Sequence, residues 1–267
     1  MVRTLFFTDI HGNYRGLMQA LERAKYDPAT DKLICGGDIV DGGPDSVKCV
    51  QFVYNNVDDY LLGNHDNWFF NWIHRNGTHE KDGAPEWIKQ GGLATVRDVQ
   101  KVENHTEFYH IARQLSHRAQ LYIIRNNVFF SHAGFNPRFA YDEQPVNEEY
   151  YWNRSLAKTA FRLNKYGAEK AAKFVDSSEE LVFCFMANTK LFDRIFIGHS
   201  QVTLVDKDAS LKSPAIWGNV INCDTGAGHK GYVTVTDVDS LETWRSNNVF
   251  NLYGYRFGEK HEYGGLW

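Results

Sequence analysis

The sequence predicts a protein of the α/β (α+β) class, with two mixed β-sheets packed together and helices outside them. The first 65 residues alternate strand, helix, strand, helix, strand, a pattern typical of parallel strands joined by crossover helices. The segment 148–189 has helical periodicity, and the chain after Arg194 consists mostly of short strand-like runs. We therefore expect a mixed first sheet, a more antiparallel second sheet, and a helical cap insertion at about 148–189.

The N-terminal elements follow from the spacing of the apolar residues. β-rich runs predict strands at 3–8, 31–35 and 58–62. Leu17, Ala20 and Leu21 recur at helical spacing and predict a helix at 13–25, and a similar pattern predicts one at 44–54. Parallel strands built in this way carry functional loops at their carboxyl ends.

The remaining elements are shorter. The same patterns predict helices at 66–75, 85–90 and 96–117, a hairpin of 120–124 with 127–131, and strands at 194–197, 202–205, 220–223, 231–236, 241–245 and 249–253. No repeat and no linker divides the chain, so a single domain over residues 1–267 is expected.

Composition excludes several classes of function. The chain has 267 residues, 43% of them apolar, and a net charge of -4 with no basic run, which argues against a nucleic-acid-binding surface. It has no 18-residue apolar segment and no signal peptide, so neither a membrane nor secretion is indicated, and a cytoplasmic setting is expected. The four cysteines have no metal-finger spacing and are predicted to be buried free thiols. The oligomeric state stays open.

Acidic, amide and imidazole side chains directly follow five of the predicted strands. Each of them alone has an ordinary explanation, such as a helix cap at Asp9 or Asp38 or a turn residue at His132. Five such clusters, each after an apolar run, favour one shared site. The residues are Asp9, His11, Asp38, Asp41, Asn64, His65, His132 and His199. His229, in a glycine-rich turn, can be assigned either to this site or to the surface.

The chemistry of these side chains predicts a metal site. Carboxylate, imidazole and amide oxygen donors suit divalent ions such as Mn²⁺, Fe²⁺ or Zn²⁺. Six of these residues are candidate ligands, which is too many for one tetrahedral ion and about right for two ions that share a carboxylate. They are Asp9, His11, Asp38, Asn64, His132 and His199. Two ions roughly 3.5–4 Å apart can hold a hydroxide between them and clamp a phosphate for in-line attack.

The ordered motifs resemble those of the calcineurin-like metallophosphoesterases. Within that family the chain is similar to the phosphoprotein-phosphatase branch, which includes phage-type Ser/Thr protein phosphatases and symmetrical diadenosine tetraphosphatases. The resemblance runs from about Leu5 to Val238 and implies a four-layer αββα sandwich. It rests on Asp9-Ile10-His11-Gly12, Gly37-Asp38-Ile39-Val40-Asp41, Gly63-Asn64-His65-Asp66, Ser131-His132-Ala133-Gly134 and Gly198-His199-Ser200, with Tyr151-Trp152-Asn153-Arg154, Asp224-Thr225-Gly226-Ala227 and the stretch 87–92 as further matches.

The resemblance implies metal ligands. Asp9 and His11 would hold the first metal and Asp38 would bridge both. Two divalent ions are expected, Mn²⁺ first, with Fe or Zn as alternatives. The second metal would be completed by Asn64, His132 and His199.

The resemblance also implies catalytic and substrate-binding roles. His65 would be the general acid that protonates the leaving oxygen, and Asp41 would orient its ring and keep it protonated. Arg154 would bind phosphate oxygens, because its fork matches their geometry. Asn64 and His65 would also contact the substrate.

Three positions bear on the substrate. The phosphatases place an arginine after the residue corresponding to Asp41, where this chain has Gly42, so Arg15, Lys48 or another residue would have to replace that phosphate contact. Asp66 is typical of the dinucleotide hydrolases, whereas Asp41 is typical of the protein phosphatases.

Three functions follow from these cues. The first expectation is a two-metal phosphatase that acts on phosphomonoesters, with protein phosphoserine and phosphothreonine among its candidates. The alternative is a hydrolase of diadenosine tetraphosphate, another dinucleoside polyphosphate or another nucleotide. The second alternative is a catalytically weak metal-binding interaction module.

Overall fold

The computed structural model describes residues 2–78 and 84–253, in which the strands build two sheets. The strands are β1 (Thr4–Phe7), β2 (Lys32–Cys35), β3 (Asp59–Leu61), β4 (Ala119–Gln120), β5 (Tyr122–Arg125), β6 (Val128–Ser131), β7 (Arg194–Ile197), β8 (Ala215–Trp217), β9 (Val220–Asn222), β10 (Thr234–Asp237) and β11 (Thr243–Arg245).

Helices follow most of the strands. They are α1 (Tyr14–Arg23), α2 (Ser46–Asn56), α3 (Asn64–His74), α4 (Ala84–Trp87), α5 (Leu93–Val99), α6 (His105–Arg118), α7 (Glu149–Trp152), α8 (Ser155–Tyr166), α9 (Ala168–Ala171), α10 (Glu179–Thr189), α11 (Val202–Val205) and α12 (Val249–Tyr253). A π-helical turn, Ile88–Gly92, joins α4 to α5. Within the described ranges, no helix is both long and apolar enough to cross a membrane.

The first sheet has the strand order β11–β10–β1–β2–β3–β4. β1, β2, β3 and β4 are parallel, as the strand–helix alternation predicts, and β10 adds antiparallel to β1. The second sheet has the order β5–β6–β7–β9–β8, with β6, β7 and β9 parallel and an antiparallel strand at each edge. Both sheets are therefore mixed, and each aligns the carboxyl ends of at least three parallel strands.

The side chains of each strand alternate between an inner and an outer apolar layer, because successive side chains point to opposite faces of the sheet. Phe6 from the first sheet packs between Phe130 and Phe196 of the second, with ring centroids 5.7 and 5.4 Å away. Its neighbours Leu5 and Phe7 point outward to the cluster that contains α1, α2 and α6. On the far side, Phe129, Ile195 and Ile197 pack against α8 and α10. This helix–sheet–sheet–helix arrangement confirms the predicted fold class.

The segment 148–189 is helical, as expected, in the four pieces α7 to α10. Leu156, Ala157 and Ala160 of α8 are buried in the same cluster as the outer face of the second sheet. This segment therefore contributes the outer helical layer of that sheet, and its N-terminal end reaches the edge where the parallel strands end.

Several predicted strands differ from the structure. The predicted strands at 202–205 and 249–253 are the helices α11 and α12. A four-residue apolar run fits either type of element, and in α11 only Val202 is buried while Leu204 is 71% exposed. The predicted strand 120–124 is divided, because Gln120 pairs with β3 in the first sheet and Tyr122 with β6 in the second. β10 and β11 join the first sheet rather than the second, so antiparallel pairs are two of five in the first sheet and two of four in the second, which is only slightly more antiparallel, as expected.

The cysteines are free thiols, as predicted. Cys35, Cys49 and Cys223 are buried, whereas Cys184 is only half-buried, since it lies on the outer helix α10.

Candidate metal centre

The carboxyl ends of β1, β2, β3, β6 and β7 meet at one edge of the sandwich, and this edge brings together every site residue that the sequence predicted. The cleft has a volume of about 140 Å³. Seven of the predicted residues line it, and His132 and Asp41 lie directly behind its wall with less than 1% exposure. The seven are Asp9, His11, Asp38, Asn64, His65, Arg154 and His199.

Asp38 occupies the centre of the candidate ligands. Its Oδ2 lies 3.7 Å from Nε2 of His11 and 3.3 Å from Nε2 of His132. Oδ1 of Asn64 lies 3.2 Å from the same nitrogen of His132 and 2.9 Å from Nδ1 of His199. Two groups of candidate donors share the Asp38 carboxylate, and in each group the donor atoms lie within 4.8 Å of one another. One group contains His11 and His65, and the other contains His132 and His199.

In His11, His132 and His199, one ring nitrogen lies close to a backbone carbonyl, which shows that the other ring nitrogen faces the cleft. Nδ1 of His11 lies 3.2 Å from the carbonyl of Val40, and Nδ1 of His132 lies 2.8 Å from the carbonyl of Gly36. Because a carbonyl only accepts, these nitrogens carry the proton and Nε2 presents its lone pair. In His199 the roles reverse, since Nε2 faces the carbonyl of Trp152 at 3.2 Å. This outer partner is typical of histidines that bind metals.

Several hydrogen-bond acceptor atoms face one another in the cleft, and their arrangement shows whether the residues fit a cation. The lone pair of His132 Nε2 faces the Asp38 carboxylate and the Asn64 amide oxygen, an arrangement that needs a proton or a cation between the atoms. Burial alone would lower the pKa of His132, but Asp38 and Asp9 outweigh burial and raise it to about 10. Burial and the neighbouring Asp224 raise the pKa of Asp9 well above its usual range. A divalent cation would satisfy the same acceptors and relieve the repulsion between the carboxylates, so the residues fit the metal.

The other two histidines stay neutral. Burial lowers the pKa of His11 to about 3 and lowers that of His199 well below its usual range, to which the neighbouring His132 contributes. A neutral imidazole is the form that binds a metal.

The backbone of the ligand loops is unusual. Five non-glycine site residues have positive φ, a conformation that costs an L-residue about 1–2 kcal/mol. They are Asp9 (φ 51°), His11 (φ 45°), Asp38 (φ 53°), Asp41 (φ 74°) and His199 (φ 61°). Such outliers persist only where the surrounding structure enforces them and are concentrated at functional sites.

Glycine is required at position 198 because of close packing. A Cβ at Gly198 would lie 2.0 Å from Oδ2 of Asp9 and 2.6 Å from Oγ1 of Thr8, closer than real Cβ atoms approach. This contact lets the backbone N–H of His199 reach the Asp9 carboxylate at 3.0 Å.

We expect Gly198→Ala to displace the Asp9 carboxylate, to reduce bound metal by at least half and to lower kcat/KM by about 100-fold, equivalent to about 2.7 kcal/mol. Metal content after gel filtration and steady-state kinetics would measure this. Gly218→Ala is the control: its Cβ meets no atom within 4 Å, although its φ is +64°. That variant should lose about 1 kcal/mol of stability and keep its metal. Full metal loading of Gly198→Ala would contradict the packing argument.

Asp66 holds the Asp38 loop in place, a role that the sequence did not reveal. Its carboxylate accepts hydrogen bonds from the backbone N–H groups of Asp38 at 2.7 Å, Ile39 at 2.9 Å and Gly63 at 3.2 Å. α3 begins at Asn64 rather than at Asp66 as expected, so Asp66 occupies its first turn. An acidic residue there favours the positive end of the helix dipole. The carboxylate thus joins β2, β3 and α3 beneath the candidate metals.

His65 and Asp41 form the expected pair. Nδ1 of His65 lies 2.8 Å from Oδ2 of the fully buried Asp41. Two further donors hold this carboxylate: Trp87 Nε1 at 2.7 Å and Thr95 Oγ1 at 2.6 Å. Burial alone would lower the pKa of His65, but Asp38 and Asp41 outweigh it and raise the pKa above the ordinary value. The neighbouring carboxylates therefore favour the protonated form of His65.

Arg154 extends over the cleft from the segment before α8. Its guanidinium donates to the carbonyl of His199 at 2.7 Å and to Oγ of Ser200 at 3.1 Å. Both contacts use one nitrogen, Nη1. These two bonds fix Arg154 beside the candidate ligand His199.

Neither suggested replacement for the absent arginine reaches the cleft. The Arg15 guanidinium lies over the ring of Tyr253 at 5.2 Å, and Lys48 pairs with Asp45 at 3.0 Å. Gly42 has a φ of +84°, a conformation that glycine adopts readily. Among the lining residues within 2–78 and 84–253, Arg154 is the one Arg or Lys side chain.

Further polar residues line the cleft. His229, which the sequence left open, faces it together with Gln90, Gln201 and Asp224. Asp224 follows β9, the third parallel strand of the second sheet, and burial raises its pKa to about 6. Its position after an apolar run, within the matched Asp224-Thr225-Gly226 motif, is the signal that could have added it to the predicted site.

Comparison with known proteins gives curated relatives over parts of the chain. "Bis(5'-nucleosyl)-tetraphosphatase, symmetrical" of Haemophilus influenzae is 30% identical over 148 residues, which are 50% of this chain and 45% of the relative. The protein of the same description from Pseudomonas syringae pv. tomato is 27% identical over 168 residues, 61% of this chain and 52% of the relative. The chain thus spans about half the length of these relatives.

Solved structures share the fold over nearly the whole chain. A protein described as a candidate diadenosine tetraphosphatase superposes with a TM-score of 0.56 at 18% identity, covering 91% of this chain and 92% of its own. A metallophosphoesterase from Sphaerobacter thermophilus gives a TM-score of 0.51 at 18% identity, covering 95% and 94%. At these identities the similarity concerns the fold alone.

The family profile described as "Calcineurin-like phosphoesterase" matches residues 2–202, about three quarters of the sequence. That range includes all nine predicted site residues and ends shortly after the last of them, His199, and the fold agrees with it. The chain therefore belongs to the calcineurin-like phosphoesterases, a family of metal-dependent phosphoric ester hydrolases.

Proposed function

We propose that this protein hydrolyses a phosphoric anhydride bond of a dinucleoside polyphosphate with the help of two divalent metal ions. The observation that carries the proposal is the shared position of Asp38 between two donor groups, beside the His65–Asp41 pair and Arg154. The curated relatives named as symmetrical tetraphosphatases support the substrate class.

The chain's own residues divide the chemistry between them. Asp9, His11 and Asp38 would hold one ion, and Asn64, His132 and His199 would hold the other with Asp38. When bound, two such ions supply Lewis acidity at the phosphoryl oxygens and activate water for attack at phosphorus. Mn²⁺ is the proposed ion, with Fe or Zn as alternatives, because the donors are oxygen and imidazole nitrogen with no thiolate.

His65 and Arg154 would act on the substrate directly. His65 would donate its proton to the leaving phosphate oxygen while Asp41 stabilises the charged ring. The Nη1 atom of Arg154 is fixed by the His199 carbonyl and Ser200, so the guanidinium is held ready to bind phosphate oxygens.

The charge of the cleft favours an internal phosphate. A phosphomonoester carries about -1.5 to -2 charge at neutral pH, whereas each internal phosphate of a polyphosphate carries a single charge. With Gly42 where the phosphatases have an arginine, Arg154 is the one guanidinium that the described part of the chain brings to the cleft. A cleft with one guanidinium group matches the single charge of an internal phosphate better than the larger charge of a phosphomonoester.

A phosphomonoesterase acting on phosphoserine or phosphothreonine is the second candidate. The complete His65–Asp41 pair, supported by Trp87 and Thr95, favours it. A serine alkoxide is a poor leaving group and needs a strong proton donor more than a nucleotide does.

Product analysis separates the candidates. We expect the Mn²⁺-loaded protein to convert diadenosine tetraphosphate and one water into two ADP, with kcat/KM at least about tenfold above that for a phosphoserine peptide, a difference of about 1.4 kcal/mol. Chromatography of nucleotides and release of inorganic phosphate would measure the two reactions, with the metal-free protein as control. Faster release from the peptide would support the second candidate. Tight Mn²⁺ binding without turnover of either substrate would support an interaction module.

A further inference from the structure

A second groove, with a volume of about 290 Å³, opens beside the metal cleft and shares Arg154 and Leu204 with it. Its walls are mainly apolar and come from Phe161, Phe174 and Val205. The mechanism described above uses nothing in this groove beyond Arg154 and Ser200, which holds the Arg154 guanidinium. Because the two spaces share two residues, one ligand can occupy both.

A row of cationic side chains leads from the metal cleft into this groove. Arg154, Lys158 and Arg162 are four residues apart, so they lie on successive turns at about 6 Å intervals along the axis of α8. Among the described residues, the carboxylate that pairs with the last two is Asp176, 3.3 Å from Lys158 and 2.7 Å from Arg162. The row therefore keeps an excess of positive charge, which complements a chain of phosphates that leaves the metals.

The far end of the groove is suited to a flat aromatic group. The Arg162 guanidinium lies over the ring of Phe174, 4.4 Å from its centroid, so a cationic group and an aromatic ring are stacked on each other in the groove. Aromatic rings and arginine planes are the surfaces on which nucleobases stack. Phe174 is 37% exposed and Leu204 is 71% exposed, so the groove presents apolar surface to solvent.

We propose that this groove is a nucleoside-binding subsite, which holds the base and the adjoining phosphate of a nucleotide whose reacting phosphate lies in the metal cleft. The proposal rests on the proposed nucleotide hydrolysis and specifies the part of the chain that selects such substrates. It gives the helical segment 148–189 a role in substrate choice, through α8 and the segment after α9.

The test compares two variants with a matched control on two substrates. Phe174→Ala and Lys158→Ala should each raise KM for diadenosine tetraphosphate about tenfold, with kcat changed less than twofold. Hydrolysis of p-nitrophenyl phosphate, which has no base or remote phosphate, should be unchanged. Lys173→Ala should leave both substrates unchanged, because Lys173 is exposed and pairs with Glu169 on the outside of the segment. An equal loss on both substrates would overturn the proposal, since it would indicate a structural effect.

Binding without turnover separates this subsite from the proposed function. AMP should inhibit p-nitrophenyl phosphate hydrolysis at least about tenfold more strongly than inorganic phosphate, and Phe174→Ala should abolish the difference. If diadenosine tetraphosphate is not hydrolysed but AMP retains this advantage, the proposed function fails and the subsite stands. If AMP and phosphate inhibit equally, the subsite is wrong. If the variants instead weaken binding of a phosphoserine peptide and leave AMP unaffected, the groove accommodates a peptide and the proposal is overturned.

Discussion

Asp38→Asn is expected to lose at least half of its bound metal and about 1000-fold in kcat, equivalent to about 4 kcal/mol of barrier. Asp38 is the carboxylate shared by both donor groups, so its charge contributes to both ions at once. The fold should survive. Oδ1 of Asp38 accepts the backbone N–H of His65 at 2.9 Å, and an asparagine oxygen can accept the same bond. Elemental analysis after gel filtration, a melting curve and kinetics on p-nitrophenyl phosphate would measure the three effects.

The matched control for this variant is Asp208→Asn. Asp208 is a surface carboxylate, 81% exposed, that pairs with Lys165 outside the cleft. The same chemical change there should leave metal content and kcat unaltered. An Asp38→Asn protein that still binds two ions per chain would show that Asp38 is not shared between them.

His65→Asn is expected to reduce activity most on substrates with poor leaving groups. General acid catalysis contributes about 10²–10⁴-fold, and only where the leaving oxygen needs a proton. We expect a loss of about 100-fold or more with phenyl phosphate and of about tenfold or less with p-nitrophenyl phosphate, because nitrophenolate departs without protonation. Asp41→Asn should show the same pattern, since it removes the carboxylate that keeps His65 charged.

His110→Asn is the control for the histidine variant, because His110 is exposed on α6 away from the cleft. It should leave the kinetics on both substrates unchanged. Equal losses of the His65→Asn protein on phenyl and p-nitrophenyl phosphate would rule out proton donation and leave His65 with a role in binding alone.

The parts of the site that could be predicted from the sequence are those that follow strands directly. Asp9, Asp38 and His132 each come after an apolar run, and parallel strands bring such positions to one edge. The local sequence therefore determines which residues meet there.

The supporting residues could not be predicted in this way. Asp66 binds the backbone of Asp38 across 28 positions of sequence, and Thr95 reaches Asp41 across 54. In the sequence, Asp66 is an acid in the first turn of a helix and Thr95 is an ordinary helical residue. Their roles depend on how α3 and α5 pack against the loops, which no local pattern encodes.

The dependence on tertiary packing also explains the elements that the sequence predicted wrongly. β-branched residues at 202–205 favour a strand, but the chain has just left β7 at the site and turns there in a short helix, α11. The crossing between sheets at Leu121 falls inside one continuous apolar run, so only the pairing partners of Gln120 and Tyr122 reveal it.

The left-handed backbone at Asp9, His11, Asp38, Asp41 and His199 has a consequence for how this chain can evolve. At about 1 kcal/mol or more for each position, the total strain is of the same order as the net stability of a typical domain, which is about 5–15 kcal/mol. Glycine at these positions would relax the strain and remove the ligands together. Selection for thermal stability alone would therefore replace residues of the candidate site before residues of the apolar layers. Inactive descendants of this chain should unfold at a higher temperature than the active one.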